Sequence, residues 1–322
     1  MPFFLKTAFF VFRLSLFVPK DSFYNPFFVT LTPSKLLHLG IATERRVFLL
    51  LFARFFVTLH TSCVVIVYKA ELLLFILGVF SMIERLRGIV LRTVKYSDND
   101  MMVDMFTDMR GRCTFSVRVS RKVRSVSSVS LWRPLTQVEF DTDLRPNRTV
   151  ANLKNARAVE DYTDLNASLD KSCQALFLAE VLYHALKNEP RNRPLYEFIT
   201  VSLQWLDLAE QGYANFHIVF MAHLMRFVGI FPNLDDYRPE LFFDMMDGVF
   251  TPLPPAHSYV VRPPETSALP ILSRLRYRSM VKFRLSRAQR GRCLKLLNDY
   301  YRLHIPSFPE LKSLDVLTEV FD

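Results

Sequence analysis

Arginine and lysine residues crowd into two parts of this 322-residue chain, and their spacing is the clearest sign of chemistry in it. The first basic cluster contains no acidic residue and consists of Arg110, Arg112, Arg118, Arg121, Lys122, Arg124 and Arg133. The second basic cluster also lacks acidic residues and consists of Arg274, Arg276, Arg278, Lys282, Arg284, Arg287, Arg290, Arg292 and Lys295. Several cations in one groove suit a nucleic-acid phosphate backbone. The sequence therefore predicts a nucleic-acid interface, with a solvated strand face and a basic loop as the alternative for the first cluster.

Patterns typical of catalysis, cofactor binding or metal binding are missing from the sequence. The four cysteines stand at positions 63, 113, 173 and 293, too far apart to form a C-x-x-C pair. Glycine-rich phosphate loops, paired carboxylates, Ser/His/Asp sets and H-E-x-x-H motifs do not occur either. His223 lies on an apolar helical stripe, where we expect a packed, hydrogen-bonded histidine rather than a metal ligand or a base. Nothing in the sequence therefore argues for catalysis, and we expect no cofactor and no metal.

The elements that carry the first basic cluster have the period of two that is typical of strands. Residues 89–95 alternate, Ser97–Asp100 has turn chemistry, and residues 101–109 form a second strand. In the third strand one face is predicted to consist of Cys113, Phe115, Val117 and Val119. A basic, serine-rich loop follows, and residues 131–144 and 149–162 supply two more strands. Five short strands within residues 82–163 predict a closed oligonucleotide-binding (OB) barrel, with Trp132 as its best base-stacking candidate.

The period changes to 3.6 after residue 163, so residues 164–322 are predicted to be a helical domain and the whole chain to be α+β. Three apolar stripes predict three helices: Leu176, Ala179, Tyr183 and Leu186 in the first; Leu195, Phe198, Ile199 and Leu206 in the second; Phe216, Val219, Phe220, His223, Leu224 and Phe227 in the third. The proline-rich residues 231–270 are expected to be irregular, and the second basic cluster to be partly helical.

Residues 1–81 differ in composition from the rest of the chain and hold 15 of its 30 phenylalanines. A membrane anchor is one interpretation, but Arg54, His60, Lys69 and Glu71 interrupt the apolar run from 47 to 80. A secretory signal is a second interpretation, although no cleavage site stands out. We favour a third, in which these residues are a non-native or disordered upstream extension and the working protein starts at Met82.

The segment "RGIVLRTVKYSDNDMMVDMFTDMRGR" (87–112) resembles the opening of RecO, a bacterial recombination mediator, in its strand, acidic turn and strand–turn order. Gly88, Val90, Leu91, Asn99, Asp100, Phe106, Thr107 and Gly111 carry this likeness. The segment 216–237 resembles the family's F-x-x-x-h-h-x-x-L-G-h-x-P-N-L region, and 311–321 is similar to its terminal helix. Many RecO proteins bind zinc through two C-x-x-C pairs after P-N-L. Here the cysteines are absent, and we expect packing of Leu241, Phe242, Phe243 and Met246 in their place.

The resemblance implies a cytoplasmic, nucleoid-associated protein that is not an enzyme. It is expected to bind single- and double-stranded DNA and to anneal complementary strands. The resemblance also implies work with RecR, recognition of the C-terminal tail of single-stranded DNA-binding protein (SSB), and help in loading RecA onto SSB-coated DNA. Both basic clusters are expected to contact DNA, and no membrane partner is expected. Two readings from other classes stay open at this point: a membrane-tethered protein with a basic lipid- or nucleic-acid-binding domain, and an enzyme with an unrecognised site.

Overall fold

The computed structural model describes residues 83–118, 129–143, 150–314 and 317. The interpretations of residues 1–81, the start at Met82, and the cations Arg121, Lys122 and Arg124 lie outside the described residues. Within the described part, no helix is both long and apolar enough to cross a membrane.

The first part of the structure is a closed five-stranded barrel, as the strand pattern predicts. Its strands are β1 (Glu84–Lys95), β2 (Asp100–Thr107), β3 (Gly111–Arg118), β4 (Gln137–Thr142) and β5 (Val150–Ala158). They follow one another in the order β1-β2-β3-β5-β4, and only the β3–β5 pair is parallel. Phe115 and Val117 are buried in the barrel core and Cys113 packs against it, which confirms the predicted face of β3 at these three positions. The fourth predicted position, Val119, lies outside the described residues.

β1 is buried on both faces, and a β-bulge interrupts the alternation of its side chains. The register against β2 slips between Val90 and Arg92. Val90 points into the barrel core, whereas Ile89 and Leu91 pack in the core of the helical region. After the bulge, Arg92 also lies on the outer side, where it donates to the Tyr183 hydroxyl at 3.0 Å. In a regular strand, consecutive side chains point to opposite faces. Leu91 and Arg92 are consecutive but point to the same face, because the bulge inserts one extra residue here.

The rest of the chain is mainly helical. Its helices are α1 (Thr163–Ala167), α2 (Leu169–Ala185), α3 (Arg193–Leu208), α4 (Phe216–Phe227), α5 (Ala268–Arg274), α6 (Tyr277–Met280) and α7 (Arg287–His304). The predicted stripe of α4 is confirmed, because Phe216, Val219, Phe220 and Leu224 are all fully buried. The predicted stripe of α2 is wrong at Leu176, which is exposed. This helix instead buries Phe177, Leu178, Val181 and Leu182.

A continuous apolar seam joins the barrel to the helices. Phe106 of β2 packs against Tyr196 of α3, with ring centroids 6.4 Å apart. Leu135 and Tyr162 belong to the same buried cluster, and the side chains of Gln137 and Tyr162 are hydrogen-bonded. At the β2–β3 turn, the Arg112 N–H donates to the Glu189 carbonyl at 3.1 Å. The outer face of the barrel therefore packs into the core of the helical region, while the barrel keeps a separate core of its own.

The proline-rich segment contains a small antiparallel sheet, so the expectation of an irregular stretch is wrong there. Its strands are β6 (Phe242–Asp244), β7 (Val249–Thr251) and β8 (Val260–Val261), in the order β7-β6-β8. Phe243 and Met245 are buried, whereas Met246, which was expected to pack, is exposed. Asp244 is buried in this sheet, and both oxygens of its carboxylate have polar partners. Its Oδ1 accepts from the backbone N–H of Met246 at 2.8 Å and of Asp247 at 3.2 Å, and its Oδ2 lies 3.2 Å from His257 Nε2.

Candidate nucleic-acid interface

The described cations of the first basic cluster occupy different environments on the barrel. Arg118, at the end of β3, has a side chain that is 84% exposed and lies 3.5 Å from Asp100. Arg110 is half-exposed and paired with Glu84, which stands at the start of β1. Arg133 is exposed and lines a cleft of about 350 Å³ together with Glu160 and Asp161. Arg118 therefore presents more of its side chain to a phosphate than Arg110 does.

Arg112 is held in the seam between the barrel and the helices. Its side chain is 12% exposed, and its guanidinium lies 3.6 Å from Asp104 and donates to the Tyr183 carbonyl at 2.7 Å. The same guanidinium lies over the Tyr183 ring at 4.4 Å, and that of Arg92 lies at 4.9 Å from the same ring. Two cation–π contacts on one tyrosine join β1, β3 and α2. This geometry favours a structural role for Arg112 over contact with a phosphate.

The second basic cluster begins as an exposed ridge. In residues 274–278 inward and outward positions alternate: Arg274, Arg276 and Arg278 are exposed, whereas Leu275 and Tyr277 are partly buried. The chain continues past the buried Met280 to further exposed cations, and we call the exposed set the basic ridge: Arg274, Arg276, Arg278, Lys282, Arg284 and Arg287. Within the described part of the chain, no salt bridge is formed by five of these residues: Arg274, Arg276, Arg278, Lys282 and Arg284. By contrast, Arg292 pairs with Glu265 and Lys295 with Asp299.

Buried aromatic and polar contacts fix the basic ridge on the helical core. The Tyr277 ring stacks on Trp205 at 5.1 Å, and its hydroxyl donates to Ser202 at 2.8 Å. The Asn215 side chain donates to the Phe283 carbonyl at 2.8 Å. His223 Nε2 lies 2.7 Å from the Leu275 carbonyl, and burial lowers the pKa of this histidine. His223 is thus the packed, hydrogen-bonded residue that the sequence predicts, and the ridge cations project from a rigid base.

The stacking candidate chosen from the sequence is wrong. Trp132 is 2% exposed and fills the barrel core, where no base can reach it. Its place in a short 3₁₀ turn (Val129–Trp132) turns the ring inward. The sequence reasoning instead missed Tyr96, which is 80% exposed at the β1–β2 turn. The available signal was its position beside the Ser97–Asp100 turn, because turn residues lie at the surface.

Comparison with known proteins gives consistent matches over both parts of the structure. The family model "Recombination protein O N terminal" matches residues 82–162, and "Recombination protein O C terminal" matches residues 166–237. The chain is 43% identical over 242 residues to "DNA repair protein RecO" of Bacteroides fragilis, which covers 75% of this chain and 100% of that relative.

Two further relatives carry the same name. The Phocaeicola vulgatus protein is 42% identical over 240 residues, covering 74% of this chain and 100% of the relative. The Porphyromonas gingivalis protein is 34% identical over 240 residues, covering 73% of this chain and 98% of the relative.

Proposed function

The chain belongs to the RecO family of DNA repair and recombination proteins, and from this premise we propose that its barrel and its basic ridge bind single- and double-stranded DNA. Members of this family are recombination mediators and not enzymes. The observation that carries the proposal is the basic ridge. Its cations are exposed, and five of them have no salt-bridge partner in the described residues. Unpaired exposed cations release counterions from a phosphate backbone at little cost, which is the main source of sequence-independent affinity.

The proposed activity is annealing of complementary strands. Annealing requires each strand to be held by contacts that neither read its sequence nor bind it too tightly, because the strands must slide until they pair. Arginines and lysines that are exposed and contact phosphates meet both conditions. The barrel, through Arg110, Arg118 and Arg133, holds one strand, and the basic ridge holds the other.

The proposed partners follow from the same premise. The protein acts with RecR, recognises the acidic C-terminal tail of SSB, and thereby helps to load RecA onto SSB-coated DNA in the bacterial cytoplasm. In this proposal residues 82–163 contact DNA. Residues 164–322 supply a second DNA-binding surface and the surface that binds the SSB tail.

The basic ridge is tested by charge reversal. In the full chain, Arg276, Arg278 and Lys282 are changed to Glu, and binding to single-stranded DNA is measured by fluorescence anisotropy over a range of salt concentrations. We expect weaker binding and a salt slope that is smaller by about 2, since each lost contact to a single strand removes about 0.7 from the slope. Annealing of SSB-coated oligonucleotides is expected to slow in parallel.

The matched control changes the same amount of charge outside both clusters. Arg191, Arg193 and Arg238 are all exposed, and the variant in which these three are changed to Glu should keep the wild-type salt slope. If both triple variants lose slope equally, the effect comes from net charge alone and the ridge is not a binding surface. A wild-type chain that binds no DNA at all would reject the proposed function.

A further inference from the structure

The outer face of β1, β2 and β3 has a part that the helices do not cover. The helices cover Ile89, Leu91 and Phe106 and reach Arg92, but beyond this point no helix of the described part packs on the barrel face. In the register of the sheet, Val94 lies opposite Met102, and Met102 lies opposite Ser116. At the far end Asp100 lies opposite Arg118, and Tyr96 is joined to the same row by its hydrogen bond to Asp100. These rows form one continuous strip across three strands.

This strip is apolar along its centre. Tyr96 is 80% exposed, Val94 is 42% exposed and Met102 is partly buried. Among the described residues, Tyr96 makes no ring contact with another aromatic side chain and lies under no cation. An aromatic ring that is bare on both faces, next to two further apolar side chains, is an unfilled contact surface.

The turn that carries Tyr96 is rigid. The N–H groups of Tyr96 and Ser97 both donate to the Asp100 carbonyl at 3.0 Å. The Ser97 hydroxyl donates to the Asp100 carboxylate at 2.9 Å and accepts from the Asp100 N–H at 3.0 Å. Because the backbone that carries the ring is already ordered, binding restricts only the side chain of Tyr96, and more of the contact energy becomes affinity.

The charges around the strip are close to balance. The cations Lys95 and Arg118 are widely exposed at its end, with 70% and 84% of their side-chain surface accessible. Each lies near a carboxylate: Lys95 is 3.3 Å from the exposed Asp98, and Arg118 is 3.5 Å from Asp100, which also accepts from Ser97. Asp104 accepts from Thr114 and lies near Arg112. Because these charges leave no excess of positive charge, most of the affinity on this strip has to come from the ring.

We infer that this strip binds single-stranded DNA by stacking an unpaired base on Tyr96, with a neighbouring phosphate beside Arg118. The inference rests on the proposed function and adds to it a preference of the barrel for single strands. Stacking requires a base face that is accessible, and in a duplex the base faces are hidden within the helix. A stacked base and a cation-bound phosphate are the usual combination by which proteins bind single strands.

The experiment uses the full chain and compares a short oligothymidylate with a duplex of the same length. Changing Tyr96→Ala should weaken binding of the oligothymidylate about tenfold, while the salt slope and the affinity for the duplex stay at their wild-type values. Tyr96→Phe should bind like the wild type, because stacking does not use the hydroxyl. Tyr259 is an exposed tyrosine on the small sheet, and Tyr259→Ala is the matched control that should change neither affinity.

A second readout is spectroscopic. The tryptophans of the described part are Trp132 in the barrel core and Trp205 stacked on Tyr277, so their emission should respond little to DNA. In the Tyr96→Trp variant, emission should be quenched by the oligothymidylate and not by the duplex. If Tyr96→Ala leaves single-strand binding unchanged while the wild type binds DNA, the stacking inference is wrong and the proposed function stands. Equal weakening for single strand and duplex also contradicts stacking. A wild type that binds neither probe rejects both.

Discussion

The junction between barrel and helices depends on one glycine, and we expect Gly111→Ala to be unusually costly. Gly111 lies at the β2–β3 turn with φ +70°. A Cβ atom there would lie 2.4 Å from the Pro190 carbonyl carbon and 2.5 Å from the Glu189 carbonyl oxygen. Both neighbours are backbone atoms, so the clash cannot be relieved by rotating a side chain. Either the turn or the loop after α2 has to move.

The expected magnitude has two parts. Placing alanine in the left-handed region costs about 1–2 kcal/mol. Separating the turn from the loop also breaks the 3.1 Å hydrogen bond from the Arg112 N–H to the Glu189 carbonyl, which costs about 1 kcal/mol. We therefore expect Gly111→Ala to lower the free energy of unfolding by about 2–3 kcal/mol, measured by urea denaturation.

The control is Gly229→Ala. Gly229 has a similar backbone angle, φ +74°, but a Cβ atom there would meet nothing within 4 Å. In this variant the free energy of unfolding should fall only by the conformational contribution of about 1–2 kcal/mol. The difference between the two variants therefore isolates the contact between the turn and the loop. Equal losses in the two variants would refute the reasoning that this contact holds the barrel against the helices.

Two further perturbations test buried polar groups. Burial, with a smaller effect from Arg290, lowers the pKa of His217 from 6.5 to about 3, so below pH 6.5 the unfolded chain binds a proton that the folded chain does not. The free energy of unfolding should therefore fall on acidification, by about 2 kcal/mol at pH 5. Urea titrations at several pH values should show a weaker pH dependence for His217→Gln than for the wild type. An unchanged pH dependence would show that His217 is not its cause. Asp244→Ala should lower the thermal midpoint, because it removes the acceptor of two backbone N–H groups. A metal chelator should leave the wild-type midpoint unchanged. A lower midpoint with the chelator would contradict a metal-free sheet.

The parts of the fold that could be predicted from the sequence are those with a regular period over a full element. The alternation of Phe115 and Val117 in β3 reflects burial on one side only. The stripe of α4 is buried because almost the whole helix is, with residues 216–222 buried without a break. The stripe of α2 is wrong at Leu176 because apolar residues cover most of the circumference of this helix, so that the apolar pattern does not single out its exposed side. The small sheet was missed because strands of two or three residues are too short to show a period.

The candidate site was less predictable than the fold, for a different reason. Charge spacing along the chain does not reveal which cations find a partner in the folded protein. Arg112 and Arg118 look alike in the sequence, yet one is enclosed by Tyr183 and Asp104 and the other is exposed to solvent. In the same way, Trp132 and Tyr96 are both aromatic residues near turns, and only the path of the backbone decides which ring points inward. Such distinctions depend on contacts between residues far apart in the sequence.

The buried outer face of β1 and β2 has a consequence for synthesis of the chain. Domains usually fold as units in the order in which they leave the ribosome. Here the five strands emerge first, but the outward-facing Ile89, Leu91 and Phe106 are covered by residues of α2 and α3, which emerge later. The nascent barrel is therefore incomplete and exposes an apolar face. Its folding can be completed only when Tyr196 has been synthesised. Any fragment meant to retain the barrel has to extend through Leu208, the end of α3.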